Sequence, residues 1–136
     1  MKNKLLVLAE GSSADRDTGQ WSIFNTIDRF KIEKPQEESF SLKGKFDLVA
    51  FYQREDNRKE EEFVVIYKFV TEKGEDLIET PEVKFNFKEG TSNLKHRIRL
   101  SKIPFKGEGT YYFQALVREN GNFKKIAQSE IALIYS

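Results

Sequence analysis

The sequence predicts an all-β fold, a single antiparallel β-sandwich of about eight strands, and three observations predict it. Short apolar runs recur along the chain and are cut by turn residues, the pattern of sandwiches and barrels. Within the runs apolar residues alternate with period two, as on a pleated strand. Aromatics are abundant, with 12 Phe, 5 Tyr and 1 Trp, although only 38% of residues are hydrophobic. Aromatic and β-branched side chains suit pleated surfaces, and each buried ring hides roughly 150–250 Å². At 136 residues the chain has the size of one domain, so residues 1–136 are read as one sandwich with one core.

The elements follow in order. Residues 4–10 hold the apolar run Leu5-Leu6-Val7-Leu8-Ala9 behind Lys2 and Lys4. Five apolar residues are too few for a secretory segment, which needs roughly 7–15, so they read as a first strand. Asp15-Arg16-Asp17-Thr18-Gly19 is a turn. From Gln20 to Ile32 the period is ambiguous: Trp21, Ile23 and Ile27 fit a strand face, while Ile23, Ile27 and Phe30 fit a helix face. The reading adopted is a strand through about Asn25, then an irregular or helical turn before Pro35. Phe46–Arg54 and Glu62–Glu72 are apolar on both faces, so both are central strands. The charged link 55–61 between them is too polar to bury. Residues 83–88 and 94–100 alternate cleanly and read as strands joined by Glu89–Asn93. Ile103-Pro104-Phe105 crosses over to Gly107-Glu108-Gly109. Thr110–Arg118 is a strand, Asn120-Gly121 a hairpin turn whose two residues need positive φ, and Phe123–Tyr135 a last strand or bent pair.

Two stretches carry a family resemblance. Gly107, Gly109, Thr110, Tyr111, Phe113, Ala115 and Val117, then Asn120-Gly121, Ile131 and Leu133, resemble the end of an immunoglobulin-like or fibronectin-like sandwich. Leu6-Val7-Leu8-Ala9-Glu10, Gly19, Ile23-Phe24-Asn25-Thr26-Ile27-Asp28 and Pro35 resemble a family of small uncharacterised bacterial and phage-associated sandwich proteins. The resemblance implies an immunoglobulin-like fold and a bacterial or phage setting. It brings no activity with it.

Several chemistries are missing. Without Cys there are no disulfides, thiol nucleophiles or thiolate metal sites. One His leaves no multi-histidine metal site. No metal or cofactor is expected. Asp17-Thr18-Gly19 matches the aspartic-protease tripeptide, but that chemistry needs two close carboxylates, and Gly19 suits a turn. A calcium loop from Asp15 fails at position 26, which is Thr, where an EF-hand needs Glu. His96 shares a face with Leu94, Ile98 and Leu100 and reads as a satisfied, partly buried histidine.

Charge gives the one functional hint. The net charge of +1 hides an acidic tract around 55–62 and a basic segment at 84–106. If 83–88 and 94–100 pair as a hairpin, then Lys84, Lys88, Lys95, Arg97 and Arg99 share one solvated face. That face is the candidate partner-binding site, although lysines also blunt exposed sheet edges. No aromatic alternates with these cations on that face, which counts against single-stranded nucleic acid, where bases stack on rings. Among Trp21, Phe24, Phe40, Tyr52, Tyr112 and Phe123, an exposed ring would be a partner anchor. The sequence therefore points to a cytoplasmic, non-enzymatic interaction module with a protein partner, self-association through edge strands included, and no membrane segment. Nucleic acid or an acidic partner on the basic face is the alternative, and a carboxylate-based hydrolase is least favoured.

Overall fold

The computed structural model, which describes residues 1–136, contains ten strands and no helix. They are β1 (Lys2–Ala14), β2 (Trp21–Ile27), β3 (Arg29–Ile32), β4 (Ser39–Gln53), β5 (Glu61–Thr71), β6 (Asp76–Glu79), β7 (Val83–Phe87), β8 (Asn93–Lys106), β9 (Gly109–Glu119) and β10 (Asn122–Tyr135). The first sheet has the order β2-β1-β4-β8, and the second has β3-β10-β9-β5-β6, with β7 also paired to β5. The two sheets enclose one core, so the chain is a β-sandwich. No helix is long and apolar enough to cross a membrane.

The two strands beyond the expected eight are β3 and β6, of four residues each. Four residues give each face only two side chains, too few for a period to show. β3 also corrects the reading of residues 26–33. There is no helical turn; Asn25, at φ 52°, bends the edge strand, and after Asp28 the chain passes to the second sheet. There β3 runs parallel to β10, while Phe30 packs edge-on against Phe46 and Phe105. The proposed crossing at 103–105 is likewise part of β8, since an edge strand tolerates Pro104.

The expected central strands lie where their two apolar faces require. β4 lies between β1 and β8, and β5 between β9 and the β6/β7 edge. Leu48, Ala50, Tyr52, Phe63, Tyr67 and Phe69 belong to the core. Val49, Val64, Ile66 and Val70 face outward by strand alternation and are nevertheless buried. Rings fill the middle: Phe69 lies 4.5 Å from Phe113, 5.4 Å from Tyr111 and 5.6 Å from Phe105.

The turns are built by the residues that announced them. Asp15 Oδ1 accepts the N–H groups of Asp17 and Thr18, and Gly19 takes φ 71°. Asn120 and Gly121 both have positive φ, 50° and 84°, as their hairpin demands. At the β8–β9 corner the Tyr111 hydroxyl donates to the Gly107 carbonyl at 2.5 Å and accepts the Lys106 N–H at 2.8 Å.

The expected hairpin of 83–88 with 94–100 does not form. β7 pairs with β5 and β8 with β4, so the link between them passes from one sheet to the other. Phe85 and Phe87 draw β7 to the second sheet by packing on Phe63, each at 5.2 Å. The link is held by Arg54, which is buried. Its guanidinium donates to the carbonyls of Thr91, Lys59 and Lys88 at 2.6–2.8 Å and lies 4.8 Å over the Phe87 ring.

Candidate functional site

The sheet crossing divides the basic row. Lys84 belongs to β7 and Lys88 follows it, both on the second-sheet side. Lys95, Arg97 and Arg99 lie on β8, with their side chains on the outer face of the first sheet, opposite the core parity of Leu94, Ile98 and Leu100. The five residues therefore do not form one face.

Two of the three on β8, Lys95 and Arg97, hold the β1–β2 hairpin against the outer face. Lys95 Nζ donates to the Gly19 carbonyl at 3.1 Å and lies 5.3 Å over Phe51. Arg97 donates to the Ser12 carbonyl at 2.9 Å and to its hydroxyl at 3.2 Å, with its guanidinium 5.4 Å over Trp21. Trp21 in turn packs edge-on against Phe51 at 6.1 Å. Aromatics do meet these cations, contributed by β2 and β4 and not by β8 itself. Lys95 and Arg97 each lie over one face of these rings.

Arg99 points to a feature that the sequence pattern passed over. Its Nε lies 3.7 Å from Oδ1 of Asp47, and Asp47 is only 7% exposed. Oδ2 of Asp47 accepts the Ser12 hydroxyl at 2.8 Å. Oδ1 accepts no hydrogen bond within the chain. The only signal in the sequence was a single acid inside the apolar run 46–52. Val49 and Ala9, on the same face, are fully buried, which shows how well covered that face is.

Beside Asp47 the outer face opens into a cleft of about 490 Å³, lined by Glu10, Ser12, Lys45, Asp47, Arg99 and Ser101 with Gly11 and Gly44 among them. The cleft lies at the bulge where β4 shifts register between Lys43 and Phe46. A bulge re-aims side chains and opens the ladder. Gly44 is required there for packing, because a Cβ would stand 2.8 Å from the Phe46 ring. Glu10 is positioned by Asn25, whose Nδ2 donates to it at 2.8 Å. Phe24 pairs across the strands with Gly11 and is 51% exposed. It is the exposed ring among the six aromatics considered as anchors.

The remaining candidates hold structural positions. His96 is half-buried between the sheets, with Nδ1 3.2 Å from the Tyr67 hydroxyl and its ring edge-on to Phe85 at 4.6 Å. Burial holds its pKa below the ordinary histidine value. The Tyr67 hydroxyl also meets that of Tyr52 at 2.6 Å, and burial pushes both phenols upward. No serine or carboxylate joins this chain to form a nucleophile and its base. The carboxyl of Asp15 is held below its usual range by the N–H groups of Asp17 and Thr18, which accounts for it as a turn residue.

Compared with known proteins, the chain matches no family model and no curated sequence.

Proposed function

We propose that the chain is a non-enzymatic interaction module, an immunoglobulin-like sandwich that binds a protein partner presenting an acidic, extended segment to the open edge of β8. The carrying observation is that edge. β8 ends its sheet, paired to β4 on one side only. Its 14 residues include Lys95, Arg97, Arg99, Lys102 and Lys106 and no acid. Arg99 and Lys106 face Asp47 and Glu75, while Lys95 and Arg97 rest on neutral carbonyl groups, so their charge is not cancelled. A second copy of β8 would set cation against cation. An acidic strand added to the edge gains main-chain hydrogen bonds and opposite charge together.

The immunoglobulin-like assignment is supported by the parallel pairing of β3 with β10 and by the Tyr111 hydroxyl tied back to Gly107, a corner that such sandwiches share. A bacterial or phage setting and a cytoplasmic location belong to the same reading and rest on the sequence alone.

The test is an amide-resolved titration with a synthetic acidic peptide of alternating Glu and Thr. Signals of residues 93–106 should shift, and binding should weaken as salt rises and in Lys95→Glu/Lys102→Glu. Shifts confined to other strands, or binding indifferent to salt, would reject the reading.

A further inference from the structure

The cleft beside Asp47 has a lining whose charges cancel, Glu10 and Asp47 against Lys45 and Arg99. An anion entering it meets two carboxylates, and a cation meets two basic heads. A neutral ligand that both donates and accepts hydrogen bonds meets neither obstacle. No group of three or more metal-ligating side chains is gathered here or elsewhere.

Asp47 fixes the geometry. Its carboxylate is recessed, yet Oδ1 stays open to solvent in the cleft. Oδ2 has the Ser12 hydroxyl, while Oδ1 has only Arg99 Nε at 3.7 Å, beyond hydrogen-bond length. The Arg99 side chain is 72% exposed, and its terminal nitrogens donate to nothing in the chain. An acceptor waiting for a donor thus adjoins donors waiting for an acceptor. Two neighbouring hydroxyls on one ring satisfy both, one donating to Oδ1 and the other accepting from Arg99. Ser12 and Ser101 add hydroxyls to the same wall.

The cleft's volume falls within the roughly 300–1,000 Å³ of small-molecule sites.

We propose that this cleft binds a neutral saccharide, with Asp47 and Arg99 reading two adjacent hydroxyls. The proposal does not depend on the β8 edge. The probe is an array of neutral oligosaccharides (glucans, mannans, galactans and chitin oligomers), followed by calorimetry on those retained. At least one should bind, with an affinity that salt leaves unchanged because the ligand is uncharged. Arg99→Ala, at an exposed position, should fold normally and weaken binding about tenfold, and Asp47→Asn should weaken it at least as much. An array without a binder, or a binder indifferent to both substitutions, overturns the proposal. Salt-sensitive binding of the acidic peptide would survive that failure, and loss of peptide binding would leave saccharide binding intact.

Discussion

The two outer faces of the sandwich begin from similar strands and end differently. Both central strands carry apolar residues on the side away from the core: Val49 on β4, and Val64, Ile66 and Val70 on β5. On the second sheet the cover is side chain on side chain. Lys68 spans Asp76 and Glu79 at 3.1 and 3.4 Å, Gln114 meets Gln128 at 3.1 Å, and Arg118 reaches Glu82. On the first sheet the cover is a folded hairpin, held by cations that rest on carbonyl oxygens and rings. That arrangement leaves Asp47 recessed, Arg99 unsaturated and a cleft between them. A face closed by side-chain pairs spans its apolar residues directly, whereas a face closed by a strap keeps unmatched groups at the strap's margin.

Four substitutions probe this contrast. Ile66→Ala removes packing from the sealed face and should cost about 2–4 kcal/mol in a denaturant titration, with no local opening ahead of global unfolding. Trp21→Ala should cost less, about 2 kcal/mol, because the ring is only partly covered. Its signature would be local: amides of residues 11–14 and 21–24 should exchange faster while those of β9 keep their protection. Uniform loss of protection would mean that the hairpin is not a separable strap.

Between the faces, His96 predicts a pH dependence. Its folded pKa lies below the unfolded value of 6.5, so the unfolded chain takes up the proton first. Stability should be level above pH 6.5 and fall as the pH drops below it, and His96→Gln should flatten that slope in melting curves. Lys68→Met should have the smallest effect, no more than about 1 kcal/mol, since it breaks surface pairs over a face that Val64, Ile66 and Val70 already close. A larger loss would show that the sealed face depends on its charges.

Much of this architecture could be read from the sequence. Period-two runs mark β4, β5, β7, β8 and β9, and Asn120-Gly121 marks its hairpin, because alternation and turn chemistry are local. The partners of β7 and β8 were not legible. A five-residue link between clean strands looks like a hairpin, and what redirects it is distant: Phe63 claims Phe85 and Phe87, and Arg54 ties down the link. Asp47 escaped for a related reason. Apolar residues on both faces marked the strand as covered, but the hairpin that recesses its one acid comes from 35 residues away in the chain, a coupling that no window of sequence contains.

The parallel pairing of Arg29–Ile32 with Ala132–Tyr135 also bears on synthesis. A ribosome releases β3 roughly a hundred residues before its partner, and Ile131 and Leu133, almost fully buried, emerge later still than most of the core they complete. Until then Phe30 has no strand beside it, and the second sheet lacks the strand that lies between β3 and β9. The sandwich therefore closes only after translation has reached residue 135, and a nascent chain halted earlier exposes the aromatic interior that the finished molecule hides.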